Sequence, residues 1–262
     1  MTLAVAIDRD GETVVAAGER GRFRRARYVG VPTAVLLACL AMYFYVRGQE
    51  LDGIEEDIIT FPNIRRAALE QVQIALGATA LTLAVAVPLG IALTRRWARA
   101  ISPVIVAMAN IGQGVPAIGL LFFIYIVLIR SGSTATILGM AIYAVLPVLR
   151  GTMVGLQQVD PGVVKAARGM GMDKAAVLLR VEMPLAVPIL LTGVRTALVL
   201  TASTAVLAAF IGGGTFGSLI ISGQAQSRQL AVAVGSLGAA SIAILADWLG
   251  GIVEDLLRPK GL

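Results

Sequence analysis

Six apolar runs, separated by short charged segments, constrain this chain more than any other feature of its sequence. Most of these runs are long enough to cross the hydrocarbon core of a bilayer as helices. Hydrophobic residues make up 57% of the 262 residues and charged residues only 15%, whereas soluble domains carry about 25% charged residues. We therefore predict an all-α polytopic membrane protein. The predicted spans are 28–46, 69–93, 101–129, 134–148, 185–211 and 230–253.

The third run carries helix-breaking residues near its middle. It contains the sequence NIGQGVPAIG, with Gly112, Gly114 and Pro116 close together. Glycine and proline are tolerated inside membrane helices, where they cause kinks or breaks. We therefore predict a kinked or broken span here.

The distribution of Lys and Arg indicates how the spans are oriented. If the N-terminus is cytoplasmic, the inside segments hold 16 of these residues and the outside segments five. Cytoplasmic segments of membrane proteins are enriched in positive charge, so both termini are expected inside. Residues 1–27 then form a basic cytoplasmic tail, either mobile or a short surface helix, and residues 47–66 an acidic outside loop. The transmembrane domain covers residues 28–262, with its core spans in 67–255.

The segment 160–184 is a charged, glycine-punctuated stretch that this orientation places in the cytoplasm. Asp160 is a favourable helix N-cap and the proline after it a favourable first residue. A short helix is expected to run to about Arg168. Gly169 and Gly171 are expected to end it, since glycine readily adopts positive φ.

A second helix is expected in the same segment, from a cap at Asp173 to about Met183. Pro184 then marks the junction with the fifth span. A pair of short helices with exposed alanines suits docking into a groove of another protein. An ordinary solvated loop with an interfacial helix fits the spacing equally well.

This segment resembles the EAA coupling motif of bacterial ATP-binding cassette (ABC) importer permeases. That motif reads Glu-Ala-Ala, three residues, Gly, nine residues, Ile-x-Leu-Pro, and every spacing matches here. Residues 66–255 resemble the permeases of the glycine betaine/carnitine/choline branch. The resemblance is carried by stretches such as ANIGQGVPAIGLL and IGGGTFGSLI. Lys165 reverses the charge of the family glutamate, whereas the other two departures stay apolar. Ala166, Ala167, Gly171 and Pro184 match the motif directly, and the three departures are Lys165, Val181 and Met183.

The resemblance implies the transmembrane fold of a type I importer, similar to methionine permeases, with the loop 160–184 as its coupling helix. It also implies a permease subunit for osmoprotectants in a bacterial or archaeal cytoplasmic membrane. The implied partners are an ABC ATPase dimer, a second permease chain (identical or paralogous), an extracytoplasmic solute-binding protein and membrane lipid. A permease for another small solute, such as an amino acid, stays open, as does a membrane anchor or sensor that binds its partner through this loop.

Several kinds of site are excluded or disfavoured by the sequence. Histidine is absent and Cys39 is the single cysteine, so no zinc or haem site of these ligands is possible. No P-loop is present, so ATP and Mg²⁺ are expected on the partner ATPase and no cofactor in this chain. Gly212, Gly214 and Gly217 fit a dinucleotide fingerprint by spacing but follow a membrane span. A tight turn or re-entrant segment at an external gate is expected instead.

Polar side chains inside the predicted spans are further candidates. Arg195 lies two to three turns into the fifth span, where a charge normally faces protein or water. It either reaches the cytoplasmic interface or pairs with an acid or with carbonyl groups, and Asp247 is a possible partner. A direct role in binding solute is disfavoured, because a cation repels a quaternary ammonium. Other polar residues either line a solute pathway or bond helix to helix. They are Asn110, Gln113, Thr201, Ser203 and Thr204.

Overall fold

The computed structural model describes residues 6–7, 13–14 and 17–257, with side chains from residue 28 onward. This part is almost entirely helical, which confirms the predicted fold class. Its one sheet is the short antiparallel pair β1 (Ala6–Ile7) and β2 (Thr13–Val14). The helices are α1 (Ala17–Arg47), α2 (Gly53–Ile58), α3 (Phe61–Leu93), α4 (Ser102–Gly114), α5 (Ala117–Val127), α6 (Gly132–Gln157), α7 (Pro161–Gly169), α8 (Lys174–Val177), α9 (Met183–Thr204), α10 (Phe216–Ala225) and α11 (Gln229–Leu257).

Among the described residues, five helical segments are long and apolar enough to cross a membrane, and a bent pair supplies a sixth. The pair is α4 and α5, which meet at 96°. The break predicted in this run is therefore confirmed, and it falls at Val115 and Pro116. Val115 has extended backbone, as expected of a residue that precedes proline. The five continuous segments are 28–47, 61–93, 132–157, 174–211 and 229–257.

The bent pair of α4 and α5 runs from one end of the bundle to the other and does not return to the end where it began. The N-terminal parts of α3 and α6 lie at the same end, because the Thr215 N–H donates to Glu70 and a Cβ on Gly132 would overlap the Ile211 carbonyl. Their last turns share the opposite end, where Leu93 and Gln157 line one cavity. Since α3 and α6 run parallel, α4 and α5 must carry the chain back between them. The bundle therefore has six crossings.

The two ends of the bundle can now be named. The turn face carries residues 212–215, and the loop face carries residues 158–182. The last turns of α11 lie on the loop-face half, because Glu254 contacts Thr192 and Arg195 of α9. The start of the first span lies beside them, because the Tyr28 hydroxyl donates to Asp255 Oδ2 at 2.7 Å. The Trp248 indole N–H also donates to the Tyr28 carbonyl, at 3.1 Å.

Several helices extend beyond the predicted spans. The fourth span does not end near Val148, because α6 continues through Pro147 and Arg150 to Gln157. The Arg150 side chain lies on the exposed side of the helix and donates a hydrogen bond to Asn110. Its charge therefore does not interrupt the row of buried residues along α6. α1 begins at Ala17. Residues 17–27 of the predicted tail are therefore continuous with the first span, and most of the tail's remainder lies outside the described residues.

Small residues bring the central helices into close contact. α6 and α9 cross where Gly151 meets Gly193, and a Cβ on Gly193 would lie 2.5 Å from the Pro147 carbonyl oxygen. Close backbone approach through small residues is the usual way for membrane helices to pack. Hydroxyl groups add interhelical bonds, such as the 3.0 Å contact between Thr79 and Thr201.

Candidate functional site

The first arm of the candidate coupling loop is α7. The Asp160 carboxylate accepts a hydrogen bond from the Gly162 N–H at 2.7 Å and caps the helix, as its sequence position predicts. Ala167 is buried against the rest of the loop, whereas Lys165, Ala166 and Arg168 are exposed. The face of α7 that carries Lys165 and Ala166 therefore points away from the bundle.

A tight turn at Gly171 folds the loop back on itself. Gly171 has φ +86°, a left-handed conformation that side chains rarely adopt. Its N–H donates to the Arg168 carbonyl at 3.0 Å, and the Met172 N–H donates to the Ala167 carbonyl at 3.3 Å. Gly169 does not share this role, because it remains the last helical residue of α7. The reversal therefore requires one glycine where two were expected.

The second arm is continuous with the fifth span, so Pro184 lies at their junction without interrupting the helix. Asp173 caps α8 by accepting from the Ala176 N–H at 2.6 Å. A π-helical turn, Leu178–Glu182, then joins α8 to α9 without interruption. Proline lacks an N–H and its ring would clash with the carbonyl four residues earlier in an α-helix. A wider turn directly before Pro184 accommodates both effects, and the Met183 N–H donates to the Leu178 carbonyl.

An ion pair anchors this π-turn to the turn that directly follows α3. The Arg95 guanidinium donates through Nη2 to Glu182 Oε2 at 2.7 Å and through Nη1 to Oε1 at 3.4 Å. Glu182 is 8% exposed, although it lies on the π-turn at the root of the loop. Sequence reasoning passed over both residues. A partial signal was present, because Glu182 is an acid flanked by apolar residues and the predicted topology puts it on the same side as the arginine-rich end of the second span.

The glycine-rich turn on the opposite face is held by two polar residues of α3. Gly212 and Gly214 have φ +74° and +72°, and Thr215 has φ +73°. The Glu70 carboxylate accepts from the Thr215 N–H at 3.1 Å. Gln71, which is fully buried, accepts from the Phe216 N–H and donates to the Ala202 carbonyl. Residues 212–215 thus form a tight, side-chain-braced turn between the 3-10 helix Ala205–Ile211 and α10.

We expect Gly214→Ala to destabilise this turn more than Gly212→Ala. Both residues have the same left-handed φ, but a Cβ on Gly214 would overlap the Glu70 carboxylate, whereas Gly212 has open space around it. The matched pair therefore isolates the loss of the bond from Glu70 to Thr215. That loss is expected to add about 1–2 kcal/mol to the cost of the left-handed conformation. Thermal unfolding of the purified chain measures the difference, and equal midpoints for the two variants would contradict it.

The polar residues predicted inside spans separate into two groups. Thr201 and Thr204 are turned inward: Thr201 bonds α3, and Thr204 contacts the Met140 sulfur at 2.8 Å. Gln113 donates to the Tyr143 carbonyl at 3.1 Å, so it joins α4 to α6. Asn110 and Ser203 are exposed on the surface of the bundle. Gly217 also lies at a close contact inside the bundle, because a Cβ there would overlap the Val206 carbonyl.

Arg195 and Asp247 form a two-point ion pair between α9 and α11. Nε donates to Oδ1 and Nη2 to Oδ2, both at 2.7 Å. A second carboxylate, that of Glu254, lies 3.5 Å from Nη1. Arg195 therefore pairs with acidic residues inside the protein, which is one of the alternatives expected from its sequence position.

Comparison with known proteins places this architecture in one family. The family model "Binding-protein-dependent transport system inner membrane component" matches residues 86–259. The glycine betaine/carnitine/choline transport system permease protein OpuCB of Bacillus subtilis (strain 168) is 35% identical over 193 residues, which are 74% of this chain and 88% of the relative. The carnitine transport permease protein OpuCD of Listeria monocytogenes is 34% identical over 176 residues, 67% and 78% of the two chains.

Solved structures show the same fold. The MetNI methionine ABC transporter in an inward-facing conformation matches with a TM-score of 0.67 at 18% identity, over 77% of this chain and 100% of that one. An amino acid ABC transporter with histidines matches with a TM-score of 0.61 at 18% identity, over 80% and 99%. The expected similarity to methionine permeases is thereby confirmed for the fold. The chain belongs to the family of binding-protein-dependent transport system inner membrane components.

Proposed function

We propose that this chain is the permease subunit of an ATP-driven importer for glycine betaine, carnitine or choline. The observation that carries the solute class is the 35% identity, over most of both chains, to a permease protein of a transport system for these three solutes. The mechanical part of the proposal rests on the loop 160–184, which presents an exposed arm and is joined rigidly to a membrane span.

The loop is proposed to dock into a cytoplasmic ATPase. Three large apolar side chains are exposed along it, namely Val163 (43%), Met170 (73%) and Leu179 (67%). Apolar anchors on a short helix suit insertion into a groove of another protein. ATP and Mg²⁺ would be bound by that partner, which leaves this chain without a catalytic role of its own. Because α8, the π-turn and α9 form one continuous helix, movement of the loop would be passed directly to the fifth span.

The loop face is proposed to be the cytoplasmic face, with both termini inside. The excess of Lys and Arg on the segments of that face supports this orientation. The turn face would then receive solute from an extracytoplasmic binding protein. A second permease chain is proposed to complete the pathway, because two ATPase subunits need two coupling loops.

The proposal is tested by purifying the chain with its ATPase and binding protein and measuring ATP hydrolysis against a panel of solutes. We expect hydrolysis to rise with glycine betaine, carnitine or choline, and not when the binding protein is left out. Amino acids, including methionine and histidine, provide the comparison. Stimulation by amino acids alone would show that the solute class is wrong. Failure of an ATPase to co-purify would instead favour an anchor or sensor.

A further inference from the structure

The bend between α4 and α5, residues 112–117, lies at the middle depth of the bundle. The Gln113 side chain donates to the Tyr143 carbonyl at 3.1 Å. Tyr143 is near the middle of the 26 residues of α6, which run from the turn face to the loop face. Beyond the bend, Leu121 meets Gly139, since a Cβ on Gly139 would lie 2.7 Å from the Leu121 side chain. The chain therefore turns by 96° inside the membrane and not at its surface.

A proline in α6 explains where the bend is held. In an unbroken α-helix the Tyr143 carbonyl would accept a hydrogen bond from residue 147, but Pro147 has no N–H. The Gln113 amide takes the place of this missing donor. A polar bond between the two helices thus fixes the bend at this level, because a carbonyl inside the membrane needs a partner.

The bend leaves several backbone groups without hydrogen bonds. Pro116 has no N–H to donate to the Gly112 carbonyl. The first hydrogen bond of α5 runs from the Leu120 N–H to the Pro116 carbonyl at 3.1 Å. Among the described residues, the N–H groups of 117–119 therefore have no partner. The two helix ends that meet at the bend thus present both unpaired carbonyl and unpaired N–H groups.

The bend is also exposed on the outside of the bundle. Gly114, Val115 and Pro116 are all exposed, and a Cβ on Gly114 would meet nothing within 4 Å. Irregular backbone within the hydrocarbon region is tolerated only where protein covers it or water reaches it. Since this chain leaves the bend uncovered, lipid tails are not a suitable neighbour for it.

Polar groups continue from the bend toward the loop face. Asn110 is exposed and lies one turn before Gly114, on the same side of α4. Its side-chain oxygen accepts a hydrogen bond at 2.9 Å from Arg150, which lies about 10 Å beyond Tyr143 along α6. Arg150 is exposed as well, and a charge within a span normally faces protein or water. This polar strip between the bend and the loop face favours water as the neighbour of the bend.

We propose that the bend between α4 and α5 lines a water-filled part of the solute pathway. Water there hydrogen-bonds to the N–H and carbonyl groups that the bend leaves unpaired. The carbonyl end of α4 carries partial negative charge, so a quaternary ammonium passes it without needing a charged side chain. This lining deepens the proposed function and rests on it, because it names a segment of the pathway along which the solute moves.

Thiol accessibility in the complete complex, reconstituted in proteoliposomes, tests this lining. Cys39, the only cysteine of the chain, is replaced by alanine, and Gly114→Cys and Val115→Cys are introduced one at a time. The probe is a membrane-impermeant methanethiosulfonate that carries a trimethylammonium group, and mass spectrometry measures its attachment. Leu37→Cys is the matched control, because Leu37 is 60% exposed in the first span, a continuous helix that is 6% buried. Thiols react as thiolates, which form in water and not in lipid, so we expect both bend positions to react at least about tenfold faster than the control.

Solute uptake by the same variants shows whether the water at the bend belongs to the pathway. The attached cation should lower glycine betaine uptake at least about fivefold relative to the untreated variant, because it repels the ammonium group. Fast reaction at one bend position is enough to support the lining, and Gly119→Cys replaces a variant that fails to assemble, since Gly119 also has open space around it.

Reaction at both bend positions no faster than at Leu37→Cys overturns the lining, whether lipid or a second permease chain covers them. Fast reaction that leaves uptake unchanged overturns it as well. If the bend reacts fast but the untreated complex, with or without the substitutions, moves none of glycine betaine, carnitine and choline, the proposed function is wrong and the bend is still exposed to water.

Discussion

Replacing Gly171 with valine is expected to uncouple ATP hydrolysis from solute uptake. Gly171 has φ +86°, and a β-branched residue in this conformation costs about 2 kcal/mol or more. The turn that folds α7 against α8 would therefore unfold, and α7 would no longer be held in its proposed docking position. A cost of this size lowers the equilibrium constant between the folded and the unfolded loop by a factor of about 30. Uptake should fall by at least about tenfold while the ATPase continues to hydrolyse ATP.

The ratio of ATP hydrolysed to solute transported measures this effect in reconstituted complexes. Gly169→Ala is the matched control, because Gly169 lies two residues away, is helical and has open space around it. That variant should couple normally. Both variants should insert into the membrane in the usual amount, since Gly169 and Gly171 lie outside the spans. Normal uptake by Gly171→Val would count against the assignment of this loop to coupling.

The parts of the loop that sequence predicted depend on local chemistry. Asp160 and Asp173 cap their helices because their carboxylates reach backbone N–H groups two or three residues away. Gly171 is similarly local, because its conformation is set by the turn itself. The six crossings followed from apolar run lengths, and the break in the third from Pro116. These features need no knowledge of distant residues, so the sequence alone was sufficient for them.

The features that sequence missed depend on contacts between distant segments. Arg95 and Glu182 are 87 residues apart, and they meet because α3 and the root of the loop reach the same face. The π-turn was also missed, since proline usually signals a helix end and continuity here depends on how α9 packs. The end predicted for the fourth span near Val148 was likewise wrong, because buried residues beyond it, such as Leu149, Thr152 and Leu156, belong to α6, which continues to Gln157. Tertiary packing thus extended both helices beyond what the local sequence indicated.

Removing the ion pair between Arg95 and Glu182 is expected to weaken the connection between the loop and the second span. The Glu182→Ala variant leaves the Arg95 guanidinium, whose side chain is 32% exposed, without this partner. Breaking a mostly buried pair that is partly reached by water should cost about 1–3 kcal/mol. We expect a lower thermal unfolding midpoint and a fall in uptake of about tenfold, because α3 no longer follows the loop.

A double-mutant cycle tests whether the two residues act as one unit. If they do, Arg95→Ala, Glu182→Ala and the double variant should lose nearly equal amounts of uptake, with a coupling energy of about 1 kcal/mol or more. Arg96→Ala is the control, because Arg96 is the exposed neighbour of Arg95 and should have little effect. Additive losses in the double variant would mean that the two side chains act separately. The exchanged pair, Arg95→Glu with Glu182→Arg, should recover part of the uptake, since the opposite charges again face each other across the joint between α3 and the π-turn.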